Sequence, residues 1–235
     1  MDNLKQKVEE LEKMTDEGEI VKQLQEIGEI ILTQYVVKVD NIIVEPLWVE
    51  AYYFNKNNFT DCNTHQRDKQ KNRFNKAYFH EEGRGGFDVC LSLNNNYYLS
   101  FLFKYTLIDL QDGSEKKFKK QTEIYDSIGK TEEEIKDIEN LENIMKPRNK
   151  ECQIAYTERV GLTKGCFKGE KLALFCVEDI RKHIKIIDQS TKDKIALVAE
   201  EYIKNYKESH SIDECKLECK NKFGYIPDNV RKLFN

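Results

Sequence analysis

Glu50 stands in Val49-Glu50-Ala51-Tyr52-Tyr53-Phe54, and Asp61-Cys62-Asn63-Thr64-His65 returns after a short Asn/Lys-rich stretch. A carboxylate thus lies beside aromatic rings at the end of an expected strand, with a second carboxylate and a His on the next loop. A partly desolvated acid of this kind can take a proton from water while flat side chains grip a substrate. The same residues also fit an ordinary strand, because alternation puts a charge on the wet face and Tyr is common in strands.

The elements that must position these groups are legible as changes of period. Leu4, Val8, Leu11 and Met14 follow helical spacing, as do Val21, Leu24, Ile27, Ile30 and Ile31, with Asp16-Glu17-Gly18 as the break between two helices. Tyr35 to Val39 and Ile42 to Val44 flank Asp40-Asn41 and read as a hairpin. Trp48 to Phe54 is the next expected strand. Phe87 to Leu91 follows a Gly-rich stretch, Asn94-Asn95-Asn96 is a turn, and Tyr97 to Ile108 is a long aromatic and β-branched strand. After Asp112-Gly113 the composition turns Lys- and Glu-rich, predicting helix through about Ile144 that Pro147 stops. Arg159-Val160-Gly161-Leu162 and Leu172 to Val177 predict a return to the sheet. The tail reads as helical, opened at Ser190 or Thr191. Ser211-Ile212-Asp213-Glu214 is a capping box for the next helix, and Gly224 is its stop.

Size and composition bound the reading. The 235 residues suit one large domain, with 34% charged and 39% hydrophobic residues. No apolar run reaches the ~20 residues that span a bilayer. The N-terminus Met-Asp-Asn-Leu-Lys-Gln-Lys has no apolar segment behind it, so a cytoplasmic protein without a secretion signal is expected. The seven Cys residues include no C-x-x-C pair and read as free thiols. Cys215, Cys219 and preceding His210 lack a fourth zinc ligand, so no metal is expected there.

Formal net charge is −4, from 38 Lys and Arg against 42 Asp and Glu, which argues against nonspecific coating of nucleic acid. The charge is segregated, however. Arg67, Lys69, Lys71, Arg73 and Lys76 oppose Asp68 alone. Lys116, Lys117, Lys119 and Lys120 follow, then Glu132, Glu133, Glu134, Asp137, Glu139 and Glu142 within the acidic stretch 131–143.

The order of these pieces resembles the alkyladenine (methylpurine) DNA glycosylases. The resemblance begins at Gly28-Glu29-Ile30-Ile31-Leu32-Thr33-Gln34-Tyr35-Val36-Val37 and continues through Val49-Glu50-Ala51-Tyr52, where the family has a Glu-Ala-Tyr signature. Asp61-x-x-x-His65 fits its Asp-x-x-x-His loop, and Lys71-Asn72-Arg73 its basic Asn-Arg stretch. Arg159-Val160-Gly161-Leu162 with Leu172-Ala173-Leu174-Phe175 resembles its closing motif. About residues 20–110 and 155–177 are covered.

The resemblance implies an α+β fold, a curved antiparallel sheet wrapped by helices. The glycosylase-like domain would span 1–177 with a helical insert at about 111–150, and 178–235 would be a helical C-terminal extension packed on it. It also implies a flipped purine whose N-glycosidic bond is cut, with Glu50 activating water and Lys104 supporting it. Tyr52 and His65 would sandwich the base, Tyr78 or His80 would close the sandwich, and Ser92 would line the pocket. Arg67, Lys71, Arg73 and Lys76 would hold the nucleic-acid backbone. No cofactor or metal is implied, since water attacks a bond whose leaving base is already activated. The chain departs from the family at Lys104, where the family has Arg, at Ser92, where it has Asn, and at Arg84-Gly85-Gly86, where it has a Tyr-Gly wedge.

Three readings therefore stand: a DNA glycosylase-like hydrolase in DNA repair, a catalytically inactive nucleic-acid- or nucleotide-binding module of the same fold, and a phage or host-defence interaction protein that binds another protein. In the first two the partner is nucleic acid, DNA more than RNA, or a nucleotide. In the third the helical tail and the acidic insert 131–143 make the contact.

Overall fold

The structure is a computed structural model and describes residues 1–80, 85–128, 131–162 and 165–234. The N-terminal helices form as their periodicity requires. The apolar stripe of α1 (Asp2–Lys13) buries Leu4, Val8 and Leu11, and α2 (Glu17–Gln34) starts where the Asp16 side chain accepts the Glu19 N–H at 2.9 Å. The chain then runs β1 (Tyr35–Val39), β2 (Ile42–Asn55), β3 (Phe59–Thr60), α3 (Arg67–Gln70), β4 (Lys76–Phe79), β5 (Phe87–Cys90) and β6 (Tyr98–Asp109). Next come β7 (Lys117–Lys120), α4 (Gln121–Ile128), α5 (Glu132–Asn140), β8 (Met145–Pro147), β9 (Ile154–Thr157) and β10 (Ala173–Cys176). Four helices complete it: α6 (Val177–Lys182), α7 (Gln189–Tyr206), α8 (Ile212–Phe223) and α9 (Asp228–Lys232).

The fold is α+β, a curled antiparallel sheet wrapped by helices. Its main path is β4-β5-β6-β2-β1-β8, with β10 and β3 also on β2, β9 on β10 and β7 on β6. All pairings are antiparallel. Strand β2 is longer than its apolar run predicts, because pairing with β6 carries it from Ile43 opposite Asp109 to Phe54 opposite Tyr98. The register slips on either side of Trp48, leaving Leu47 and Lys104 unpaired in a bulge.

Alternation gives each face its own core. Val49, Ala51, Tyr53, Phe101, Phe103, Val89, Phe87 and Leu174 point to the side covered by α1 and α2. Helix α2 crosses closely at Gly28, where an added Cβ would lie 2.8 Å from a Leu174 methyl. On the other face, beyond the bulge, Trp48 stacks on Phe175 with centroids 4.5 Å apart and meets Tyr105 edge-on. Helices α6 to α9 close over this second cluster with Ile180, Ile195, Ala199, Ile203, Cys219, Phe223 and Val230. Helix α7 begins at Gln189, just ahead of the Ser190 or Thr191 start that the sequence predicts, because the Asp188 carboxylate accepts the Thr191 N–H at 3.0 Å. The Ser211–Glu214 capping box and the Gly224 stop, at φ +82°, form as expected.

The segment 111–150 is not the helix that its composition predicts. Lys117–Lys120 adds to β6 as β7, Thr131 and Glu134 form a capping box that starts a separate α5, and Met145–Pro147 pairs with β1 as β8. Helix α5 packs on β4, burying Ile135 and Ile138. Buried Asn75 joins the two ends of the sheet: its side chain accepts the Met145 N–H at 2.8 Å and its carbonyl accepts the Ile144 N–H at 3.3 Å. Val160 and Leu162 likewise lie outside strands, beyond β9.

Trp48 is the sole tryptophan, so its emission reports on the second cluster. Phe175→Ala removes the ring stacked on it and is expected to cost about 3–5 kcal/mol. A urea titration followed by Trp48 fluorescence checks this, and an unchanged midpoint would show that the stack contributes nothing to stability.

Candidate functional site

Register places the candidate residues on one face. Glu50 lies opposite Leu102 on β6 and Ala173 on β10, and Leu102 lies opposite Asp88 on β5. Directly paired residues share a face, as do residues two apart on one strand. Glu50, Tyr52, Asp88, Cys90, Ser100 and Tyr78 therefore project to the same side, next to the Trp48 cluster but not covered by it.

Glu50 is 1% exposed. One carboxylate oxygen accepts the Val160 N–H at 3.0 Å and the other accepts the Tyr52 hydroxyl at 3.1 Å. Burial pushes its carboxyl up from the ordinary value, against the opposing pull of Lys104, these two donors and Arg159. Burial and the neighbouring Glu50 charge push the Tyr52 hydroxyl well up, so it stays protonated and donates.

Arg159 anchors the loop that carries Val160. It and Asp61 are both wholly buried, and its guanidinium spans the two oxygens of the Asp61 carboxylate. It also donates to the Ala51 carbonyl at 3.1 Å and lies over the Tyr52 ring, 4.7 Å from its centroid. One ion pair thereby fixes the Asp61–His65 loop, the Arg159 loop and the tyrosine beside Glu50.

The rings come from β4 and the Asp61–His65 loop. His65 and His80 stack on each other with centroids 5.5 Å apart and planes at 17°, and Tyr78 tilts against His80. A third ring between them would need about 7–8 Å, two van der Waals contacts of about 3.5–4.0 Å each. The two imidazoles thus form one stacked wall. His80 Nε2 meets Asp88 at 3.0 Å, and the other Asp88 oxygen accepts the Ser100 hydroxyl at 3.0 Å. Ser100 in turn shares a hydrogen bond with Tyr98 at 2.6 Å. Asp88, Ser100 and Tyr98 form a polar chain that sequence reasoning missed. Its one signal was the lone acid inside apolar Phe87-Asp88-Val89-Cys90-Leu91.

The remaining candidates scatter. Lys104 sits in the bulge, where its charge acts on Glu50 and on Asp188 of the C-terminal extension. Burial works against the Asp188 charge, yet the Ser190 and Tyr105 hydroxyls, the Thr191 N–H and Lys104 hold it well below the carboxylate range. Ser92 spends its hydroxyl on the β5–β6 connection, accepting the Leu99 N–H at 2.8 Å, rather than on a ligand. Arg84 of the expected wedge position lies outside the described residues.

Nor do the cations of 67–76 make one uniform face. Arg67 covers the Phe54 ring at 3.9 Å, and Lys71 pairs with Asp68 at 3.0 Å. Arg73 donates to the Ala77 carbonyl at 2.8 Å and the Glu139 carbonyl at 2.7 Å, while Lys76 meets Glu142 at 3.1 Å. Glu139 accepts the Phe79 N–H at 2.7 Å. The acidic insert thus meets the basic stretch through the Glu139 carbonyl and, at the surface, the Glu142 carboxylate, and Glu132 and Glu133 are exposed.

No family model matches the chain, and no curated protein matches it. No helix among the described residues is long and apolar enough to cross a membrane.

Two stability outcomes follow from the buried charges. Arg159→Met leaves Asp61 buried and unpaired and is expected to cost about 3–5 kcal/mol, whereas adding Asp61→Leu should recover part of the loss. A double-mutant cycle by urea denaturation checks this, and strictly additive costs would deny the coupling. Glu50, with its pKa raised by burial, stabilises the fold most at acid pH and loses that contribution as the pH rises through the raised value. Glu50→Gln should therefore be at least as stable as wild type at pH 8, with the difference shrinking on acidification. A variant clearly less stable at pH 8 would contradict this.

Proposed function

We propose that this protein binds a purine base and hydrolyses the N-glycosidic bond that carries it, with Glu50 as general base. The reading rests on one observation above the others. A buried carboxylate is held by a main-chain N–H and a tyrosine hydroxyl, on the same sheet face as Asp88, whose carboxylate meets His80 of the stacked imidazole pair. Burial that raises its basicity makes it a better proton acceptor. The order of residues that resembles the methylpurine glycosylases supports the same chemistry.

In this reading Glu50 takes a proton from water as the water oxygen bonds to the anomeric carbon. The carbon–nitrogen bond breaks, and the alkylated, positively charged base takes the bond's electron pair and leaves neutral. Tyr52, with Arg159 over one face of its ring, and the stacked His65–His80 pair supply the flat surfaces that hold the base in this reading. Lys104 supplies a positive charge near Glu50 as a point donor rather than a planar fork.

A second reading, base or nucleotide binding without hydrolysis, is favoured by the engagement of Arg73 and Lys76 with the insert, which removes two cations from a phosphate-tracking surface. Glu50→Gln separates the two. Against oligonucleotides and nucleosides bearing methylated purines, the variant should release base ~10²–10⁴ times more slowly while its Kd stays within about twofold. Wild-type kcat/KM should rise with pH along a limb lying above the ordinary carboxylate range, because only ionised Glu50 is active. Free base measured by chromatography decides between them: no release by wild type leaves only the binding reading, and equal release by both proteins removes Glu50 from the mechanism.

A further inference from the structure

Cys62 and Cys166 lie at the surface on the same two loops that the Arg159–Asp61 pair holds from inside. Each main-chain N–H donates to the other residue's sulfur, Cys62 to Cys166 Sγ at 3.1 Å and Cys166 to Cys62 Sγ at 3.2 Å. The Cys166 thiol donates to the Thr60 carbonyl at 3.1 Å. The close approach depends on Gly165, whose φ is +117° and where an added Cβ would lie 2.8 Å from Cys62 Sγ. The hydrogen bonds from Cys166 pull the Cys62 thiol below its usual range, and the Cys166 thiol is pushed up as the donor. One sulfur is therefore the readier nucleophile, and a second sulfur waits beside it. Asp61 completes a cluster whose ligand atoms lie within 4.8 Å, but its oxygens are taken by Arg159 and Asn63. That leaves two sulfurs, which suits sulfur–sulfur chemistry better than a metal that takes four ligands.

We propose that Cys62 and Cys166 are a reversible dithiol–disulfide pair that staples the Asp61–His65 loop to the loop following Arg159. With a small-molecule disulfide such as glutathione disulfide as oxidant, the Cys62 thiolate attacks one of its sulfurs. A Cys62–glutathione mixed disulfide forms and one glutathione thiolate leaves. Cys166 then loses its proton to solvent and attacks the Cys62 sulfur, forming the Cys62–Cys166 bond and releasing the second glutathione. The two cysteines are oxidised by two electrons and the glutathione disulfide is reduced by two. The staple locks the Val160 N–H onto Glu50 from outside, as Arg159 does from inside. It does not depend on the hydrolase reading, since the loops hold Glu50 whatever the site acts on.

Trypsin resolves the four paired thiols. Cys62 falls in residues 57–67, Cys166 in 165–168, Cys152 in 151–159 and Cys176 in 172–181. After incubation in a glutathione redox buffer, alkylation and non-reducing digestion, peptides 57–67 and 165–168 should appear linked, two hydrogens lighter than their sum. They should separate with dithiothreitol. Hydrogen exchange of residues 159–162 should slow in the oxidised wild type and stay unchanged in oxidised Cys62→Ser and Cys166→Ser, both surface changes. Independent alkylation of Cys62 and Cys166 under these conditions overturns the pair, whatever becomes of Cys152 and Cys176, whose sulfurs lie 2.7 Å apart. Linkage with unaltered exchange at 159–162 overturns the staple.

Discussion

Arg159 has no exposure to solvent, and neither has the Asp61 carboxylate it grips. Removing both ions from water costs several kcal/mol each unless every donor and acceptor is met. The fold meets most of this demand by bringing the Ala51 carbonyl, the Phe167 carbonyl and the Tyr52 ring to the same guanidinium, leaving only its Nε–H without an acceptor among the described residues. Loop and strand positions that would otherwise be free to drift are therefore fixed together. The Val160 N–H that orients Glu50 is the next residue along, so the carboxylate's orientation is inherited from an ion pair it does not join.

The sheet makes the second contribution. Alternation along β2 and β6 sends alternate residues to opposite cores, and the bulge at Trp48 and Lys104 separates a dry end of the second face from a polar end. Helices α6 to α9 fill the dry end. The polar end keeps Glu50, Asp88 and the histidines, with Lys104 at the boundary between them. A charge at a bulge can bend toward either neighbour, and here it acts on Glu50 and on Asp188 alike.

Much of this was legible in the residues. Period-two runs marked the strands, Asp16 and Ser211 marked helix starts, and Val49 to Tyr52 marked the strand that carries the site. Local pattern failed where a distant partner decides the outcome. Lys117–Lys120 is a strand because β6 has an unpaired flank there, and Met145–Pro147 because β1 does. Arg159 finds Asp61 across 98 positions, a pairing that spacing does not encode. The 67–76 cations read as one face in sequence, but folding spends Arg73 and Lys76 on the insert. Ser92 looked like a ligand-facing polar residue, yet its hydroxyl replaces a ladder hydrogen bond at a turn.

The insert has one more effect. An open sheet offers unpaired N–H and C=O groups along both margins, and these can recruit strands from other molecules. Segment 111–150 acts at both ends of the main strand path: α5 lies on β4, β8 extends β1 only as far as Pro147, and Asn75 ties the two ends together. A proline at the last strand position cannot donate to a newcomer. A strand arriving beside Pro147 therefore meets a residue with no N–H to give, and one arriving beside β4 meets helix α5.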